Sequence, residues 1–206
     1  LPSDVGAVSN RKVFYKNGKI DHISEYWKAD RNQNFKVLSK QLNIQTCTLL
    51  IRRRCLDETG YFDSNLRRHQ EVQLMSYFTT KYKVEFLNEI LTVIDSSDVM
   101  NRPDYKRFIR FKEDYYNSIK PIMESYSNHK KKLIYAHNNT EIAYTMYRDY
   151  DKVKGVLFLL KCLCYPSVLY SFCKRIIYKK NSKDISKYLT KEEIKYIDHF
   201  ISECER

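Results

Sequence analysis

Hydrophobic positions alternate near the start of the chain and shift to a helical period past its midpoint. Val5-Gly-Ala-Val8 and Arg11 to Tyr15 read as strands and Lys19 to Ile23 as a returning partner. Asn17-Gly18 between them is a two-residue hairpin turn whose central positions need positive φ. Glu25 to Leu42 is polar and irregular, with Trp27 and Phe35 as isolated aromatics, which suits a surface loop that packs by its rings or lines a cleft. Gln45 to Ile51 runs apolar as a buried strand does, and Arg53 to Thr59 has helical spacing closed by Gly60. Asp63, in the Tyr61-Phe62-Asp63 turn, is placed to tie that turn to nearby backbone amides. A polar loop then ends in His69-Gln70-Glu71, after which a helix and two short strands reach Ile94.

Beyond Arg102-Pro103 the apolar residues Phe108, Phe111, Tyr115, Ile119 and Ile122 predict an amphipathic helix before Pro121. Gly155 to Cys173 is the most apolar stretch, but Lys161 and Pro166 interrupt it too strongly for a transmembrane span, and Lys174-Arg175 and Lys179-Lys180 follow. Thr190 with Glu193 three positions on is a capping box leading a helix with Ile194, Ile197 and Ile201. The expected architecture is α/β: a mixed sheet flanked by helices in residues 1–103, then a mainly α-helical, basic, partly apolar region in 104–206.

Composition narrows the partners. With 43% hydrophobic residues and only four Gly and four Pro, 206 residues bury a sizeable core, which excludes a disordered chain. The formal charge of +12 is uneven, 16 Lys/Arg against 12 Asp/Glu in 1–103 and 21 against 13 in 104–206, so the second region carries two thirds of the excess. Such a surface attracts polyanions: nucleic acid, an anionic membrane face, or phosphorylated substrates. The six cysteines form no CxxC pair and no zinc spacing with His; they read as reduced, mostly buried thiols, which fits the cytoplasm. Leu1 opens no apolar signal region.

The stretch QTCTLLIRRRCLDETGYFDSNLRRHQEVQLMSYFTTKYKVEFLNEILTVI, Gln45 to Ile94, resembles the acceptor-side half of the family 2 glycosyltransferases, which have the GT-A fold; with the hairpin before it, the likeness covers roughly residues 1–103. In that family the turn reads G-(G/Y)-F-D, here Gly60-Tyr61-Phe62-Asp63, and an acid about eight to ten positions later opens the next helix and acts as catalytic base. That position holds Glu71, preceded by Gln70, where the family more often has Asp. Without the resemblance, a carboxylate entering a helix is equally a plain response to unpaired amides and the helix dipole.

The resemblance implies an inverting transfer from a nucleotide-sugar donor to a glycan or lipid-linked acceptor in bacterial surface polysaccharide synthesis. It also implies a divalent ion, Mg or Mn, held by a DxD motif that in the family precedes a segment like DVGAVSNRKVFYKNGKID; the ligands are therefore expected outside this chain, and none of its residues is assigned to metal. Arg67, Arg68 and His69, with Gln70, form a basic lead-in suited to phosphate or acceptor, and Arg102 lies where the family closes a segment over the donor. A partner chain or second copy is expected to cover the open sheet, with the whole peripheral at the inner membrane face. The alternative is a non-catalytic basic adaptor on an anionic membrane or nucleic acid; no RNP, KH or helix-turn-helix signature supports the latter.

Overall fold

The computed structural model describes residues 2–17, 19–97, 103–184 and 187–204, without the side chains of Phe200 and residues 202–204. The alternating segment at the start is one continuous strand, β1 (Val5–Lys16), which forms the centre of a mixed four-stranded sheet. The hairpin partner β2 (Lys19–Ile23) pairs antiparallel with its second half, Val13 facing Ile23 and Lys16 facing Lys19. Asn17 has the positive φ (50°) that the turn demands. On the same side, β3 (Leu49–Ile51) pairs antiparallel with the first half of β1, Ala7 facing Ile51. The other side is parallel: β4 (Lys83–Asp95) follows β1 from Val5 opposite Lys83 to Tyr15 opposite Asp95.

Three expectations are corrected here. The two short strands before Ile94 are the single strand β4, because it runs beside β1 throughout and takes up the mismatch in register shifts around Arg11. The irregular 25–42 segment contains helix α1 (Gln33–Leu38), too short for a period to show; Gln33 fastens it by donating to the Val84 carbonyl at 2.7 Å and accepting from the Val84 amide at 2.9 Å. The expected strand from Gln45 opens as a 3₁₀ turn, Thr46–Thr48, before β3.

Helix α2 (Arg53–Thr59) ends at Gly60, whose φ of +95° is one that side-chain-bearing residues rarely adopt. Helices α1, α2 and α3 (Gln70–Lys81) cover one end of the sheet around Ala7, Val37, Cys55, Met75, Phe78 and Val84. Gly6 lets β1 pass beneath α3: a Cβ there would stand 2.6 Å from Cζ of Phe78. Far along the chain, α8 (Lys191–Cys204) covers the other end, packing Ile197 and Ile201 on Val13, Tyr15 and Ile23. Its capping box forms in both directions, Thr190 N–H to Glu193 at 2.7 Å and Glu193 N–H to Thr190 Oγ1 at 3.2 Å.

The helices of the second region start with α4 (Tyr105–Glu124), which continues through Pro121 rather than ending before it; Pro121 and Asn117, the residue whose carbonyl loses a partner, are both exposed, so water can serve that carbonyl. α5 (Asn128–Asp149) lies against it, and Leu38 of α1 joins Tyr115, Ile119, Met123 and Ile134 in one cluster. α6 (Lys152–Leu163) and α7 (Pro166–Asn181) follow, bent by 117° at their junction. No single helix among the described residues is long and apolar enough to cross a membrane. All five cysteines with described side chains are free thiols; Cys55 and Cys162 are buried, but Cys47, Cys164 and Cys173 are exposed, against the expectation of burial. Cys164 is the C-cap residue of α6 and Cys173 lies on α7.

Candidate active site

The G-Y-F-D turn is a local knot. Asp63 accepts the Asn65 amide at 2.9 Å, the Leu66 amide donates to the Asp63 carbonyl at 3.1 Å, and the Leu66 side chain is buried beneath. Gln70 closes it from the first position of α3, its Nε2 donating to the Leu66 carbonyl at 2.6 Å and the Asp63 carbonyl at 3.4 Å. Gln70 is thus a latch between turn and helix. Tyr61 and Phe62 project outward, with Tyr61 donating to Asp57.

Glu71 occupies the first turn of α3, half-buried, and has no ion pair or side-chain hydrogen bond among the described residues. The free amides of the first turn and the positive end of the helix dipole lie beside it. Arg67 is exposed; Arg68 is half-buried and engaged with its surroundings. Arg102 lies outside the described residues.

His69 goes inward. It caps α3 in the left-handed conformation (φ 64°), which turns its ring onto Tyr115 and Phe108, 5.4 and 6.1 Å between ring centroids. The Lys40 ammonium stands 3.1 Å from Nδ1. An ammonium only donates, so Nδ1 accepts and the proton sits on Nε2, which is buried with no protein partner. Burial first, then the neighbouring Lys40 and Lys112, push this histidine far below its usual range. It is neutral, and the cationic character of the loop rests on Arg67 and Arg68.

Beside it lies a charge network that the sequence reading missed. Lys112 of α4 is 1% exposed and meets Glu141 Oε2 of α5 at 2.7 Å; Lys40, just past α1, meets the same oxygen at 2.8 Å. Lys112 also donates to Asn138 Oδ1 at 3.0 Å, and the Asn138 amide donates to the Leu38 and Ile134 carbonyls. Burial lowers the Lys112 ammonium to about 7, with Glu141 pulling the other way. Burial would raise Glu141, but the two lysines outweigh it and hold the carboxyl well below its ordinary value. The available signal was a lysine on the apolar stripe of α4, between Phe108 and Tyr115. A cleft of about 340 Å³ opens beside this network between Pro103, Phe108, Tyr144, Thr145 and Arg148.

Among the described residues the carboxylates do not gather for a metal. Asp149-Tyr150-Asp151 is a D-x-D triplet, yet Asp149 is held by Arg148 at 2.5 Å and Asp151 caps α6 by accepting the Lys154 amide at 2.9 Å. At the end of β4, Asp95 accepts the Ser97 amide at 2.8 Å, and Asp98 lies outside the described residues. Among the described residues no three His, Cys, Asp or Glu side chains form a group that could hold an ion. Compared with protein-family models, curated proteins and solved structures, the chain gives no match in any of the three.

Proposed function

We propose that this chain supplies the acceptor-side, base-bearing part of an inverting glycosyltransferase of the family 2, GT-A type. The carrying observation is the half-buried, unpaired Glu71 carboxylate on the first turn of α3, fixed behind the knotted Gly60-Tyr61-Phe62-Asp63 turn. In this reading Glu71 takes the proton from an acceptor hydroxyl as that oxygen bonds to the anomeric carbon of the donor sugar. The bond from that carbon to the nucleoside diphosphate breaks on the opposite face, which inverts the configuration. A Mg or Mn ion, if bound, would supply charge compensation for the leaving diphosphate, and no residue of this site is assigned to it. Arg67 and Arg68 face acceptor phosphate, as on a lipid-linked glycan. Exposed Leu50, Leu87 and Leu91 on the sheet suit a further segment, a partner chain or a second copy closing over it.

Transfer from UDP-, GDP- and CMP-sugars tests the assignment in protein that also carries the donor-binding part. Glu71→Gln keeps the shape and removes the base, and is expected to lower turnover by on the order of 10²–10⁴ with donor affinity unchanged. Glu71→Asp, the acid commoner in the family, retains most of the activity. Unchanged transfer by Glu71→Gln would overturn the assignment.

A further inference from the structure

Helices α6 and α7 carry apolar surface where a folded protein usually hides it. Val153, Val156, Leu157 and Leu160 recur at intervals of three and four, so they form one stripe along α6, and all are exposed, Val153 at 70% and Leu160 at 56%. The opposite side of α6 is committed to α5, where Gly155 lies so close that a Cβ would stand 2.6 Å from the Tyr147 backbone nitrogen. On α7, Leu169, Tyr170, Ile176 and Ile177 are likewise exposed, and Val168 is its one buried residue.

The charge on this pair has one sign. Residues 152–183 contain eight Lys and Arg and no Asp or Glu. Arg175, Lys179, Lys180 and Lys183 line, with Ile176, an open groove of about 400 Å³. Lys174 and the groove residue Arg175 also hold α7 to the body: Lys174 pairs with Glu25 at 2.5 Å over the Trp27 ring, and Arg175 donates to the Lys40 carbonyl.

We infer that α6 and α7 dock the protein on the face of an anionic lipid bilayer, aliphatic side chains entering the acyl boundary and the basic groove taking lipid phosphate. Aliphatic residues with a cationic rim and no acid form the surface chemistry that such a membrane attracts. A second copy fits poorly, since a symmetric contact would set one acid-free cationic face against another. Nucleic acid would favour exposed aromatic stacking platforms over Val, Leu and Ile. Helices of 12 and 16 residues, bent by 117°, lie on a bilayer rather than cross it, since they extend only about 18 and 24 Å against a hydrocarbon core of about 30 Å. This inference is independent of the role given to Glu71.

Co-sedimentation of the 206-residue chain with phosphatidylcholine vesicles, with and without phosphatidylglycerol, tests it. Binding is expected to be at least about tenfold stronger with phosphatidylglycerol and to weaken as salt is raised. Lys179→Glu with Lys180→Glu should remove the lipid preference; Leu160→Glu with Ile177→Glu should abolish binding while circular dichroism stays unchanged. Hydrogen exchange on the unaltered chain needs no variant: adding anionic vesicles should slow exchange within residues 153–180 and leave α3 unaffected. Equal recovery with both lipids, insensitivity to salt, or a chain dimer that Leu160→Glu dissociates would each overturn the inference.

Discussion

The junction of α1, α3, α4 and α5 and the α6–α7 pair invert the usual distribution of side chains in opposite ways. At the junction, polar groups are inside: Lys112, Asn138 and His69 are withdrawn from water and Glu141 is shared between two lysines. On α6 and α7, valine, leucine and isoleucine are outside. A buried charge persists only when paired, and the junction pairs its charges almost completely, so it is explained from within the chain. An exposed aliphatic stripe has no such internal explanation. It points to something beyond the chain, and the surrounding lysines give its sign.

Breaking the junction should have the larger effect on folding. Glu141→Gln leaves Lys112 and Lys40 facing each other without a counter-charge. A fully buried pair broken this way costs about 3–5 kcal/mol; since 35% of the Glu141 side chain reaches solvent, about 2–3 kcal/mol is expected, read from urea midpoints. Gly155→Ala comes next. The added methyl meets the Tyr147 backbone rather than a flexible side chain, so α6 must move off α5 at a cost of about 1–3 kcal/mol, with faster amide exchange along α6.

The pH dependence sharpens the contrast, because the titrating groups concentrate at the junction. Lys112 has a folded-state value of about 7 against an ordinary 10.5. Between these the unfolded chain binds a proton that the folded chain does not, so stability rises with pH across that window. His69 and His137 are lowered by burial, so their contribution is lost as pH falls below about 6.5. Glu141, held below its ordinary 4.5, adds a further loss as pH drops through the carboxylate range. Lys112→Met should reduce the alkaline rise to the part left by Lys12, whose ammonium burial lowers to about 8, and keep the histidine part of the acid loss, measured as thermal midpoints over the series.

What was legible in the sequence was local. The β1–β2 hairpin around Asn17 (Gly18 lies outside the described residues), the Asp63 turn, the Gly60 stop and the Thr190 capping box each depend on residues a few positions apart, and each forms. Helix α1 was not legible, because six residues show no period and Val84, far along the chain, holds it. The continuity of β4 was hidden by Glu85, Asn88 and Glu89, polar residues that its long pairing with β1 carries along. At the candidate site, Glu71 at the mouth of α3 followed from order along the chain, whereas the inward turn of His69 depends on Lys40, just past α1, and on Lys112 and Tyr115 of α4. No spacing rule brings those together.

The smallest expected effect is also the most discriminating for the α6–α7 pair. If its aliphatic stripe contributes nothing to the fold, replacing it with polar residues should leave stability untouched in the absence of lipid. Leu160→Gln and Ile177→Gln remove side chains that are already 56% and 59% exposed, so each is expected to change unfolding free energy by no more than about 0.5 kcal/mol. A loss of about 2 kcal/mol or more would mean that these residues pack against the body in solution, because truncating a buried aliphatic residue costs that much. The α6–α7 surface would then be a second core rather than a docking face, and the contrast with the junction would disappear.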